Sequence, residues 1–195
     1  MARLIEFDRL TPAPWKNGGG STTELALCPP GAGLDDFDWR LSVASISRSG
    51  AFSIFNGIER TLVLLVGDAL ALSINGAPAV QLSAAAALIG FAGEAHVQAS
   101  VNAPSRDFNV MTRRSTCRHN VRLLGLPVQL EHGAGITVLF LARGAQAIVQ
   151  LGAESVTLRR FDALLLDSDD ADDAILCQVH GGADARLLVA EIVPA

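Results

Sequence analysis

Thr61-Leu62-Val63-Leu64-Leu65-Val66-Gly67 returns later in the chain as Thr137-Val138-Leu139-Phe140-Leu141-Ala142-Arg143-Gly144. Each is a short, continuous apolar run rich in branched residues and stopped by glycine. That is the pattern of a strand covered on both faces. The likeness continues past the glycine. A further strand follows in each half, then a glycine-bearing turn at Asn75-Gly76 or Gly152-Ala153. Next comes a short strand ending in leucine (Val80-Gln81-Leu82, Val156-Thr157-Leu158), and then an apolar closing strand at Leu88-Ile89 or Leu164-Leu165. The spacing between copies is about 76 residues, a period that marks an internal repeat. Strand, glycine turn, strand, turn, strand is the grammar of a small jelly roll. The expected fold is therefore all-β, a bicupin-like pair of jelly-roll β-barrels from an internal duplication. The expected N-terminal barrel spans about 1–115 and the C-terminal barrel about 116–195, in a single compact unit.

Outward from the repeat the same texture holds. Trp39-Arg40-Leu41-Ser42-Val43-Ala44 alternates strictly, and Asn75-Gly76 is a strong hairpin signal. The alanine-rich stretch Ser83–Ala87 is at most a turn. With 195 residues and half of them hydrophobic, the chain can bury a large core. No apolar run approaches the roughly 20 residues needed to span a bilayer. A net charge of −5 argues against nucleic acid as the partner. Three cysteines without CxxC spacing read as reduced thiols. A cytoplasmic protein with no membrane partner is expected. Uncovered strand edges make a homodimer an open expectation.

Metal chemistry is poorly supported. The four histidines, His96, His119, His132 and His180, form no His-x-His pair and lack a carboxylate at ligand spacing. The acidic run from Asp167 to Asp173 lacks the glycine and closing glutamate of a calcium loop and reads as a solvated turn. No cofactor, no metal and no serine-nucleophile elbow are expected.

Polar residues of interest cluster before residue 115. Lys16-Asn17 precede Gly18-Gly19-Gly20, a stretch that either connects strands or brings backbone close to a ligand. Alternation in Asp107-Phe108-Asn109-Val110-Met111-Thr112-Arg113 puts Asp107, Asn109, Met111 and Arg113 on one face. That face either meets water or lines an interior where each group needs a partner. Arg40, Ser42 and Ala44 share a face in the same way. Arg60 stands at the threshold of a buried strand, suited to holding a carboxylate or to pairing with Asp107 or Glu24.

Together Pro14-Trp15-Lys16-Asn17-Gly18-Gly19-Gly20, Trp39–Ile46, Phe52-Ser53-x-Phe55-x-Gly57-Ile58-x-Arg60-Thr61-Leu62 and Asp107-Phe108-Asn109-Val110-Met111-x-Arg113-Arg114 resemble the HutD/Ves family. The resemblance runs from about residue 4 to the end of the chain. It implies a bicupin without metal-binding histidines, some of whose members accompany histidine-utilisation genes. It implies a non-catalytic regulator of histidine breakdown that binds a small carboxylate such as urocanate or N-formylglutamate. Carried over position by position, the ligand-binding residues would be Lys16, Asn17, Arg40, Arg60, Asp107, Asn109 and Arg113. Lys16 and Arg60 would hold the anion, and Arg40 would support the shell. Ala51, Asn56, Glu59 and Ser115 depart from the family pattern, all at turns. Two rival readings stay open. One is a metal-free isomerase or hydrolase using Lys16 with Asp107. The other is a scaffold whose polar strands only knit the barrels together.

Overall fold

The computed structural model describes residues 1–67, 70–84, 87–168 and 175–195. Residues 85–86 of the turn read at 83–87, and 169–173 of the acidic turn read at 167–173, fall outside these residues, while Asp167 and Ser168 end a strand. The described residues form strands throughout, apart from one 3-10 turn at Phe7–Arg9. In chain order the strands are β1 (Ala2–Ile5), β2 (Ala13–Pro14), β3 (Gly20–Cys28), β4 (Trp39–Ile46), β5 (Gly50–Ala51) and β6 (Ile58–Val66). They continue as β7 (Leu70–Ile74), β8 (Val80–Leu82), β9 (Leu88–Ala92), β10 (Val97–Val101), β11 (Ser105–Arg113), β12 (Cys117–Gly125) and β13 (Val128–His132). The last six are β14 (Gly135–Arg143), β15 (Gln146–Leu151), β16 (Glu154–Arg159), β17 (Ala163–Ser168), β18 (Ile175–Gly181) and β19 (Arg186–Pro194). Among the described residues no helix is long and apolar enough to cross a membrane.

Two compact units emerge. The N-terminal unit holds Thr11–Cys117 with Ala195, and the C-terminal unit holds Arg118–Pro194 together with Met1–Leu10. The first ten residues join the later unit because β1 pairs antiparallel with β17, Ala2 opposite Leu166 through Ile5 opposite Ala163. In the N-terminal unit a six-stranded sheet runs β2-β3-β4-β11-β6-β9, and a four-stranded sheet runs β5-β10-β7-β8. The C-terminal unit has β1-β17-β14-β19-β12 and β13-β18-β15-β16. Thus the order β4-β11-β6-β9 is repeated as β12-β19-β14-β17, and β5-β10-β7-β8 as β13-β18-β15-β16.

The register shows why the apolar runs lie where they do. Strand β6 sits between β11 and β9 within its sheet, and Leu62 and Val63, successive residues on opposite faces, are both fully buried, so both faces of the strand are covered. Strand β14 occupies the same place between β19 and β17, with Val138 through Leu141 fully buried. Both strands carry one extra residue before their closing glycine. Leu65 is bypassed between the rungs Leu64–Asp107 and Val66–Arg106, and Ala142 between Leu141–Leu187 and Arg143–Arg186. Aligning these bulges sets Arg60 at the place of Thr137, whereas sequence likeness alone sets Thr61 there. A one-residue difference matters because it moves every side chain to the other face of the sheet. The hairpin signal also appears as expected. Asn75 and Gly76 both have positive φ, 51° and 76°, and the Ala77 amide donates to the Ile74 carbonyl at 3.0 Å.

The C-terminal unit has an apolar interior. Leu139, Leu141, Leu164, Leu166, Leu187 and Val189 of one sheet pack on Leu130, Ala147, Val149, Leu158, Cys177 and Val179 of the other. Removing one such leucine side chain costs about 2–5 kcal/mol, because the cavity left behind closes only in part.

Candidate functional site

Antiparallel pairing places residues that face each other across strands on one side of the sheet. Arg60 lies opposite Met111, Leu62 opposite Asn109, and Leu64 opposite Asp107. On the far side of β11, Arg40 lies opposite Met111, Ser42 opposite Asn109, and Ala44 opposite Asp107. One face of three neighbouring strands therefore carries Arg40, Ser42, Arg60, Asp107 and Asn109. This is the interior alternative of the sequence reading, for Asp107 is fully buried and Asn109 and Arg60 are 5% and 6% exposed.

Burial at that depth demands partners. The Arg60 Nη2 donates to Asn109 Oδ1 at 2.9 Å, and Asn109 Nδ2 donates in turn to Asp107 Oδ1. Arg60 Nη1 donates to the Ser53 carbonyl at 3.4 Å. The guanidinium lies 5.0 Å from the centroid of the Phe91 ring, 5.4 Å from Phe52 and 5.6 Å from Phe55, so aromatic faces supply part of its solvation. The segment bearing Phe52 and Phe55 is tied back to the fold by hydrogen bonds that their backbone amides donate to the carbonyls of Val97 and Gly93. Below this set, Met111, Phe37 and Ile58 form an apolar cluster against Phe55 and Leu27.

Asn109 therefore bridges acid and base, and the two charged groups do not meet directly. Within this set, and among the described residues, Arg60 Nε and Asp107 Oδ2 stay without a hydrogen-bond partner; buried His132 Nε2 of the C-terminal unit does so as well. Desolvation is the largest influence on both groups. It pushes the Asp107 carboxyl up to about 7, opposed by the positive charge of Arg60 and the bond from Asn109. It also draws Arg60 down to about 10, with Asp107 opposing the shift and nearby Arg40 adding to it. The site thus offers a donor, an acceptor and a proton that can be taken or given near neutrality.

The other sequence-selected residues are placed differently. Arg40 is mostly buried and its Nε pairs with Glu24 at 2.8 Å, as a supporting residue would. Arg113 Nε donates to the Phe37 carbonyl at 3.0 Å and Nη2 to the Asp35 carbonyl at 2.7 Å, pinning the loop before β4. Lys16 and Asn17 are exposed, at the tip of the turn joining β2 and β3. There the Gly19 amide donates to Asn17 Oδ1 at 2.9 Å, and the Gly18 amide to the Trp15 carbonyl at 3.0 Å. The glycines serve this turn. Gly18 has φ +68°, and a Cβ on Gly20 would come within 2.2 Å of the Ser45 carbonyl oxygen. The sequence reading missed Ser53, Phe52, Phe55 and Phe91 as the wall around Arg60. The two phenylalanines beside Ser53 were the available signal for that wall. Among the described residues no group of three or more His, Cys, Asp or Glu side chains is set to hold a metal.

Comparison with known proteins bears on this arrangement. The HutD family model matches residues 8–187. A Pseudomonas putida protein described as an uncharacterised 21.2 kDa protein in the hutC 3′ region is 35% identical over 171 residues, 87% of each chain. Protein Ves of Citrobacter koseri is 40% identical over 111 residues, 56% of each chain. HutD from Pseudomonas fluorescens, solved in a formate condition, superposes with a TM-score of 0.86 at 26% identity over the whole of both chains. A cupin 2 conserved barrel domain protein from Leptotrichia buccalis shares the fold, with a TM-score of 0.60 at 9% identity over 99% of this chain and 96% of that one. Four motifs in order, a cupin-like all-β architecture and a family match over nearly the whole length agree: the chain belongs to the HutD/Ves family.

Proposed function

We propose that this protein serves histidine utilisation as a binding protein, its N-terminal unit taking a small carboxylate at Arg60, Asn109 and Asp107. The observation that carries the reading is the pair of deeply buried, unpartnered atoms Arg60 Nε and Asp107 Oδ2 on one interior face. A polar group is retained in a core at a cost of about 1–3 kcal/mol unless something meets it. A carboxylate with a second polar end meets both, accepting from Nε and donating to Oδ2. Urocanate and N-formylglutamate have that form, and the hutC-region relative and the HutD neighbour support the pathway. Lys16 is exposed on its turn and Arg60 is buried on the interior face, so Arg60 is the principal anchor in this reading. The repeated sheet order is read as a duplicated jelly roll in which the C-terminal copy is mainly structural.

Calorimetry with urocanate, N-formylglutamate, formate, glutamate and histidine tests this, using wild type and Arg60→Met. Methionine keeps the stem and removes the charge, and Asp107 can then stay protonated, so folding survives. At least one carboxylate should bind, and Arg60→Met should weaken it by about 2 kcal/mol or more. Equal binding by the variant would refute the assignment. A second reading, proton-transfer catalysis on the same ligand, is favoured by the Asp107 carboxyl at about 7. Following the bound ligand by NMR separates the two, since a binding protein returns it unchanged.

A further inference from the structure

The C-terminal unit holds an open cleft of about 300 Å³ among the ends of β12, β13, β14 and β19. Its lining includes Arg118, Asn120, Glu131, Ile136, Thr137 and Glu191. The position of Thr137 is the one that Arg60 takes in the N-terminal unit, and Glu191, opposite Thr137, takes that of Met111. The equivalent end of the C-terminal unit therefore carries a concave polar cleft.

Its charges are not self-satisfied. Glu191 is neutralised within the wall, accepting from Arg122 Nη2 at 2.7 Å and from Asn120 Nδ2 at 3.3 Å. Among the described residues Arg118 and Glu131 take no ion-pair partner, either with each other or elsewhere. His119 adds no charge at neutral pH, because burial holds its imidazole at about 4. Thr137 is buried, and its Oγ1 is hydrogen-bonded at 2.9 Å to Nδ1 of the fully covered His132. Among the described residues the cleft thus presents one unpaired cation and one unpaired anion, both on solvent-exposed residues, with a fixed hydroxyl and apolar surface from Ile136 and Val193.

A simple anion would satisfy Arg118 while bringing negative charge beside Glu131. A simple amine would do the reverse. A ligand carrying both charges a few bonds apart satisfies the two together. A volume of this size suits a molecule of about ten heavy atoms. We propose that the cleft between β12, β13 and β19 is a second ligand site for a small zwitterion of the α-amino-acid class. The α-carboxylate is held by Arg118, the α-ammonium by Glu131, and the side chain rests on Ile136 and Val193.

The test is calorimetry on the full chain with glycine, leucine, glutamate and histidine, adding 4-methylpentanoate and 3-methylbutylamine as leucine lacking one charge each. Wild type, Arg118→Ala, Glu131→Gln and Arg60→Met are compared. At least one amino acid should bind wild type and Arg60→Met alike, and bind at least about tenfold more weakly to each of the other two variants. The acid and the amine should each bind at least about tenfold more weakly than leucine. Absence of amino-acid binding at millimolar concentration overturns the proposal. So does binding indifferent to both cleft substitutions, or binding lost only in Arg60→Met, which belongs to the N-terminal site. Carboxylate binding at Arg60 stands or falls separately, because its own variant leaves the cleft intact.

Discussion

In the N-terminal unit the rungs opposite Leu62 and Leu64 are Asn109 and Asp107. In the C-terminal unit the same places, opposite Leu139 and Leu141, hold Val189 and Leu187. Backbone, bulge and strand order correspond, and only the side chains differ. One interior is packed with leucine, valine, alanine and Cys177, and among the described residues the buried unpartnered atom of that unit is His132 Nε2. The other keeps an arginine, an amide and a carboxyl that must share too few hydrogen bonds. Apolar packing is the inexpensive way to fill such a space, and a buried charged set is costly even when paired. The polar set of the first unit is therefore a poor choice for stability alone, which is the ground on which a ligand is proposed for it.

The comparison can be attacked from both sides. The largest effect should come from forcing the first unit's chemistry on the second. Leu187→Asp puts a carboxylate at the Asp107 position with neither Arg60 nor Asn109 beside it, and should cost more than about 4 kcal/mol in urea unfolding. A smaller loss is expected from Asn109→Val, which deletes the bridge and strands both charged neighbours, at about 2–3 kcal/mol. Converting the whole set, Arg60→Thr with Asp107→Leu and Asn109→Val, should recover that loss or exceed wild type by about 1–4 kcal/mol. Carboxylate binding should be absent in the same protein. If the converted protein is as unstable as Asn109→Val, the polar set supports the fold and the comparison fails.

A pH effect follows in size. Asp107 is raised from 3.8 in the unfolded chain to about 7 in the folded one. Folded protein therefore holds this proton where unfolded protein has lost it. The stabilisation is full below pH 3.8 and drains away as pH rises toward 7. Subtracting the curve of Asp107→Asn, which keeps the shape and cannot ionise, should isolate a falling slope between those limits. No equivalent slope should come from the matching C-terminal rungs, which hold Leu187 and Val189 in the places of Asp107 and Asn109. The smallest effect belongs to the rim. Glu24→Gln, whose carboxylate is partly exposed and pairs with Arg40, should cost no more than about 1 kcal/mol.

Much of this difference was legible in the sequence, and the illegible part has physical causes. Alternation in β11 puts Asp107, Asn109, Met111 and Arg113 on one face, and the glycine-stopped runs at 61–67 and 137–144 announce β6 and β14. Pleat direction follows from sequence parity, so Asp107 and Asn109 do meet Arg60, while Arg113 spends its donors on the loop before β4. Which strand a segment joins does not follow from its own pattern, and β1 pairs with β17, more than 150 residues away. Alternation was also silent on which face was covered, since a polar face reads alike toward water or toward a ligand. The matching of Thr61 with Thr137 failed by one residue in space, because paired bulges decide register and leave little trace in composition. Lys16 illustrates another limit. Lysine beside three glycines suggests a ligand loop, yet here Gly20 lets the hairpin pass against the Ser45 carbonyl and leaves Lys16 outside.

The most direct test of the central claim is the titration of Asp107 itself, followed by the 13C resonance of its side-chain carboxyl, assigned through Asp107→Asn. The account predicts a midpoint near 7 in the free protein, displaced when a ligand sets its carboxylate beside Arg60 and its donor on Asp107 Oδ2. A midpoint in the ordinary range near 4, unchanged by any carboxylate that the protein binds, would contradict it.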